Sequence, residues 1–330
     1  MRDGVNSITD VEGILVGHDT DAEAATGCTV ILAAGGAVGG VDVRGGAAST
    51  RGTDMLNPLN LVERVNAIVL TGGSAFGLDA ACGVMEWLEA RGIGFDVGVT
   101  KVPIVSAAVV FDLSIGSALV RPNRASGMRA CEAAAPTVTA QGNVGAGTGA
   151  TVGKLWGMPS AMKGGLGMAS LTLPDGVVVG ALVVVNAFGD VRDWRTGALL
   201  AGARDLQTGR LANMVEQMKQ GILRRSFAPP PNVWSANTTL GVVATNAALT
   251  KAQATKVAQM AHDGLARVIA PVHTMYDGDV IFTLSCGDQS GDLNLIGVVA
   301  AEVVAEAINN AVKCAETLHG VPAWREVCCG

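Results

Sequence analysis

The chain has 330 residues, a formal net charge of −6, 49% hydrophobic but only 4% aromatic residues, and 44 glycines. Disorder, which needs low hydrophobicity and high charge, is excluded. So is a collagen helix, since the glycines have no three-residue period and there are only 11 prolines. The acidic balance, with Arg224 and Arg225 the only notable cationic pair, argues against nucleic acid as a partner. Much of the apolar content is Ala and Val, which suits strands covered on both faces by helices. The longest apolar run, 177–185, is too short to span a bilayer, and no basic segment followed by an apolar run opens the chain. A cytoplasmic protein with no membrane partner is expected. Seven cysteines without C-x-x-C spacing read as buried small hydrophobes. Four dispersed histidines without H-E-x-x-H spacing give no expectation of a metal, and no cofactor is expected.

In chain order, short strands are predicted at 28–33 and 40–44 with glycine turns between them. A buried strand at 67–70 runs into Thr71-Gly-Gly-Ser-Ala-Phe-Gly77 and a helix over 78–91. Glycine there lets a strand turn sharply into a helix with free N–H groups, which is either an anion or carboxylate site or simply a tight turn. Residues 102–111 form another apolar segment. The stretch from Gly145 to Lys154 fails as a phosphate loop: Thr148 stands where a Gly is needed, and Leu155 where Ser or Thr is needed. A glycine-rich loop presenting Lys154 remains. Segments 166–173 and 177–185 make a hairpin through Pro174-Asp175-Gly176. Its second strand is apolar on both faces, hence central, and delivers Asn186.

From 190 to 237 the chain turns polar and includes three consecutive prolines, which reads as a linker with some helical periodicity at 211–218. A strand follows at 238–246. Thr250 with Gln253 makes a capping box for a helix with Val257, Met260, Ala261, Leu265 and Val268 on one face. A strand at 280–285 and an Ala/Val-rich helix at 293–312 complete a layered α/β architecture in one domain.

Two polar spots stand out. Asn237-Thr238-Thr239 opens a strand straight after the polar stretch, where a processed N-terminal nucleophile would sit. A threonine hydroxyl within a chain lacks a base. Cutting the bond before it releases an α-amine, a group that ordinarily titrates at about 7.7–8.0 and can take the hydroxyl proton near neutrality. Thr238 Oγ attacking the Asn237 carbonyl, followed by hydrolysis of the ester, would make that cut. Read locally, the same residues are also just a favourable strand start. Asp277-Gly278-Asp279 puts two carboxylates on one side if extended, able to orient an amine or hydroxyl. An ordinary turn, or less plausibly a metal pair, is the other reading.

With these residues in view, the chain resembles the self-processing L-aminopeptidase/D-esterase and β-aminopeptidase family, which includes the nylon-oligomer (6-aminohexanoate oligomer) hydrolases. The motifs that carry the resemblance are Asp42-Val-Arg-Gly-Gly46, Thr71-Gly-Gly-Ser-Ala-Phe-Gly-Leu78, Gly145-Ala-Gly-Thr-Gly149 with Lys154, Val183-Val-Val-Asn186, Asn237-Thr-Thr239 and Met275-Tyr-Asp-Gly-Asp279. They span most of the chain in one order.

The resemblance implies a four-layer α-β-β-α sandwich of the N-terminal-nucleophile-hydrolase type. It also implies a precursor that cuts itself between Asn237 and Thr238 into 1–237 and 238–330, pieces that stay together and assemble further, often as four heterodimers. Thr238 is then the nucleophile, Asp277 and Asp279 the acidic pair that orients it, Lys154 the family's Gly-Lys lysine, and Asn186 an oxyanion donor. Thr, Lys and two Asp, in place of the Ser, Tyr and Ser/Glu of the aminopeptidase branch, lean toward the nylon-oligomer hydrolases. The expected substrate is a linear amide, either an ω-amino-acid oligomer or a short peptide. The rival readings are acyl transfer, as in the ornithine acetyltransferases, and an unprocessed scaffold without activity.

Overall fold

A computed structural model describes residues 6–221 and 237–328. Nine strands share one hydrogen-bonded network: β1 (Leu15–Asp21), β2 (Thr26–Val43), β3 (Thr50–Arg51), β4 (Arg64–Thr71), β5 (Val105–Val109), β6 (Gly165–Thr172), β7 (Val178–Asn186), β8 (Thr238–Ala247) and β9 (Val280–Gln289). The four longest helices are α1 (Ala80–Glu89), α2 (Arg124–Glu132), α3 (Lys251–Val268) and α4 (Leu293–Cys314).

The network splits into two layers through β2. Its first half pairs with β1 and β4, its second half with β9, and the register shifts between Leu32 and Ala37. One layer therefore runs β6-β7-β8-β9-β2 and the other β1-β2-β4-β5-β3.

The period-two alternation of side chains then builds three apolar layers. Val179, Ala181, Val183 and Val185 of β7 pack with Val257 and Ala261 of α3 and with Val304 and Ile308 of α4. Their neighbours Leu182 and Val184 face the other way, joining Leu240 and Val242 of β8, Phe282 of β9, and Ile31, Ile68 and Leu70 of the second sheet. On the far side of that sheet Val30, Leu32, Ala67 and Val69 meet Ala81, Val84 and Leu88 of α1 and Ala130 of α2. Helices, sheet, sheet and helices give the expected four-layer α-β-β-α sandwich. Helix α4 is long and apolar enough by composition to cross a membrane, but 72% of that window is buried inside the fold, as in a core helix.

Several sequence expectations change. The two short strands at 28–33 and 40–44 are one strand, β2, with a bulge where the glycines suggested turns. The helix expected over 78–91 starts as a 3-10 turn, Ser74–Asp79, before α1. The linker expected over 190–237 is, as far as 221, part of the fold. Asp190–Arg192 pairs with Leu199–Ala201 and Ile269–Ala270, and a short helix, Met214–Lys219, follows. The cause is Asp190, 1% exposed, whose carboxylate accepts the Ala203 and Met214 N–H groups and so ties a polar stretch to the core. The rest of that expected linker, 222–236 with its prolines, lies outside the described residues.

Candidate active site

Thr238 is the first residue of a strand held on both sides. β8 pairs antiparallel with β7, with Thr238 opposite Asn186, and parallel with β9. The loop before β9 extends this pinning upstream. Asn237 N–H donates to Tyr276 O (3.0 Å), Gly278 N–H to Asn237 O (2.7 Å), and Thr239 N–H to Asp279 Oδ1 (2.7 Å). The peptide bond between Asn237 and Thr238 is thus clamped from residues on either side. Thr238 Oγ1 donates to the same Asn237 carbonyl oxygen at 2.6 Å. That oxygen takes two hydrogen bonds in a site where Asn237 is 1% and Thr238 3% exposed. A buried carbonyl held by a backbone N–H thus has the hydroxyl of the next residue beside it, a nucleophile-type group next to an electrophile.

Asp279 reaches this segment with its side chain and Asp277 through its backbone, opposite Asn237, and each carboxylate is committed to backbone N–H groups. Asp279 Oδ2 accepts the His273 backbone N–H (3.1 Å) and the ring Nδ1 (2.8 Å). Asp277 Oδ1 accepts Phe188 N–H at 3.1 Å, and Oδ2 accepts Thr274 N–H at 3.1 Å and its hydroxyl at 2.6 Å. The Asp277 carboxyl is pushed up to about 6, first by burial and then by the charge of Asp279, against the pull of its hydrogen bonds.

Lys154 and Asn186, which the family resemblance implies for the site, are in contact. Lys154 Nζ donates to Thr151 O (2.7 Å), Asn186 Oδ1 (3.1 Å), and the carbonyls of Asn186 and Ala187 (both 3.3 Å). Burial pushes this ammonium down to about 7, opposed by the Asp277 carboxylate. Asn186 Oδ1 also accepts Thr151 N–H at 3.0 Å. Its Nδ2 donates to Phe111 O at 3.1 Å. The backbone donor on the Asn237 carbonyl is therefore Gly278 N–H, with Asn186 lying across the register from Thr238.

Sequence reasoning did not single out Gly278. A signal was present in the glycine between two aspartates. A Cβ there would lie 2.7 Å from Thr238 Oγ1 and 2.8 Å from Ala47 O, so only glycine fits this approach. His273 was likewise passed over, because its partner Asp279 is met only through the loop's fold.

The comparisons with known proteins cover the same ground. The family model of peptidase family S58 matches residues 6–324. An uncharacterized aminopeptidase of Mycobacterium tuberculosis (strain H37Rv) is 43% identical over 98% of each chain. A 6-aminohexanoate-oligomer endohydrolase of Kocuria sp. is 33% identical over 92% of this chain and 85% of that protein. Among solved structures, the L-aminopeptidase D-Ala-esterase/amidase of Ochrobactrum anthropi, a variant of the N-terminal-nucleophile hydrolase fold, superposes with a TM-score of 0.73 at 21% identity, covering 96% of this chain and 88% of that one. A Burkholderia β-aminopeptidase gives 0.68 at 24% identity over 98% and 91%. The four-layer sandwich and a family match running nearly end to end lead to one conclusion: the chain belongs to peptidase family S58 and is a hydrolase of amide bonds.

Proposed function

We propose that this protein is a self-processing hydrolase in which Thr238 cuts the bond that precedes it and then acts as an N-terminal nucleophile on linear amides. The observation that carries the reading is the Asn237 carbonyl, held between the Thr238 hydroxyl at 2.6 Å and the Gly278 N–H at 2.7 Å.

In the first reaction Oγ1 adds to the Asn237 carbonyl carbon, and the oxygen's developing charge falls on Gly278 N–H. The C–N bond breaks, the nitrogen takes up a proton and becomes the Thr238 α-amine, and an ester joins Asn237 to Oγ1. Water hydrolyses the ester, leaving a carboxylate on 237 and a free hydroxyl on 238. In turnover the α-amine takes the hydroxyl proton, Oγ1 attacks the substrate carbonyl, the substrate's amine half leaves, and water releases the acyl half. Asp279, already on Thr239 N–H, and Asp277 hold the new chain end, while Lys154 and Asn186 form the opposite wall.

For the substrate we favour ω-amino-acid oligomers of the 6-aminohexanoate type. The endohydrolase relative at 33% identity supports this, together with the Thr, Lys and two Asp of this chain. Short peptides are the second reading, favoured by the 43% identity to aminopeptidases. Further assembly of the processed pairs, as the family resemblance implies, belongs to the same proposal.

Intact-mass analysis and N-terminal sequencing test the cut. Two co-purifying fragments are expected, summing to the 33.4 kDa chain plus one water, the smaller beginning Thr-Thr-Leu-Gly. Thr238→Ala gives a single inactive chain. An uncut chain with full activity, or a native start at another residue, overturns the mechanism. Release of 6-aminohexanoate units against release of amino acids from short peptides decides the substrate.

A further inference from the structure

We propose that His273 is a positioning residue that aims Asp279 at the backbone of the nucleophile. The inference rests on the assignment of Thr238 and concerns how its neighbourhood is held in place.

Asp279 is 1% exposed, and its two oxygens have divided duties. Oδ1 takes Thr239 N–H at 2.7 Å, one residue from the nucleophile. Oδ2 takes two bonds, both from His273: the backbone N–H at 3.1 Å and ring Nδ1 at 2.8 Å. His273 serves this oxygen from a left-handed backbone with φ 55°. Histidine enters that region more readily than most residues with a side chain, so it supplies both a tolerated backbone and a donor at the Nδ1 site.

The ring's remaining surroundings fix its angle. Facing a carboxylate, Nδ1 carries a hydrogen. Nε2 is buried with no partner among the described residues. His262 stands edge-on with ring centroids 4.8 Å apart, and its own Nε2 is 3.0 Å from Asp42 O, so the wedge is anchored to β2. Arg44, paired with Asp42 at 2.7 Å, closes that side.

Without Nδ1, a buried carboxylate oxygen keeps one backbone donor, and the carboxylate is free to rotate off Thr239 N–H. The hydroxyl of the preceding residue, Thr238, then loses its register with the Asn237 carbonyl. A misplacement near 1 Å in such a geometry slows reaction by roughly 100-fold.

Three variants separate the ring's donor from the backbone. His273→Asn keeps a donor at the Nδ1 position and accepts the left-handed backbone. His273→Gly keeps the backbone and drops the donor. His273→Ala also drops the donor, and since Ala25 already holds φ 57° in this chain it serves if the Gly variant does not fold. Self-cleavage rate, kcat and KM are measured in the full chain. Hydrogen exchange of the Thr239 amide is measured in the uncut Thr238→Ala protein. We expect the Asn variant to stay close to wild type. The Gly and Ala variants should lose roughly 100-fold in self-cleavage and kcat with KM unchanged, because His273 does not reach the substrate. The Thr239 amide should exchange faster in them alone. A Gly variant as fast as wild type with a protected Thr239 amide, or an Asn variant as impaired as Gly, overturns the proposal. The Thr238 assignment fails in a different way, through a wild-type chain uncut at 237–238, and the exchange measurement still decides the role of His273.

Discussion

Gly278→Ala tests the self-cleavage geometry most directly. Gly278 is not among the glycines with positive φ, so the backbone accepts alanine and only the added methyl acts. That carbon would lie 2.7 Å from Thr238 Oγ1, 2.8 Å from Ala47 O and 3.1 Å from Ala48 Cα, where an ordinary contact is about 3.5 Å. Two of the three atoms are backbone and yield little. The hydroxyl must swing away or the 277–279 backbone must retreat by the better part of an ångström, taking with it the N–H that polarises the Asn237 carbonyl. Either movement is expected to slow self-cleavage by about 100-fold or more. Overpacking should cost about 1–3 kcal/mol of stability, which a domain of this size survives. The assay follows loss of the intact chain on denaturing gels from the moment of purification, with a urea melt on the same sample. A variant that cleaves at the wild-type rate while melting normally refutes the argument, since the methyl would then have found room that the close contacts deny.

Asn186→Ala removes the oxygen shared by Lys154 and Thr151 together with the amide opposite the nucleophile. With Lys154 and Thr151 left without that shared oxygen, turnover should fall by roughly 100-fold through misplacement of this wall, the fragments staying associated, measured as kcat on a linear amide after gel filtration. Asp277 holds its proton up to about 6 in the fold, against 3.8 in the unfolded chain, so between those values the folded state binds more protons and this group lowers stability as pH rises. In the uncut Thr238→Ala protein, Asp277→Asn should remove up to about 3 kcal/mol of that decline, and parallel urea stability curves for the two proteins across this range would refute it. Thr250→Ala, which breaks the capping box of α3, should cost about 1 kcal/mol in a urea melt and leave self-cleavage untouched.

Features set by neighbouring residues were legible in the chain alone. The hairpin through Pro174-Asp175-Gly176 and the capping box of Thr250 and Gln253 sit where the sequence puts them, because turn and cap chemistry act over three or four residues. β2 was misread because glycine normally punctuates. Here Gly40 is a strand residue whose Cβ would fall 2.4 Å from Ala254 backbone, so the gap lets α3 lie close on the sheet. Asp190 misled in the opposite sense, since polar composition suggested a connector and burial is invisible in composition. At the site, Thr238, Asp277 and Asp279 stand out from the residues themselves, whereas Lys154 and Asn186 enter only through the family resemblance; in the fold Asn186 lies opposite Thr238 and touches Lys154, and Asp279 holds Thr239 N–H. Gly278 and His273 matter only through atoms contributed by the folded loop, one a backbone N–H and one a ring nitrogen on a left-handed residue, and no local pattern announces either.

Because the strand that Thr238 opens is paired on both sides, the Asn237–Thr238 bond takes up its clamped geometry only after β7, β8 and β9 have closed around it. On the proposed chemistry, the catalytic amine is a product of correct folding and does not exist before it. A copy whose sheet has not closed has no base beside its threonine and stays inert toward amides, its neighbours' included. Maturation thereby acts as an inspection step needing no second protein, and the fraction of cut chains in a preparation counts the molecules that passed.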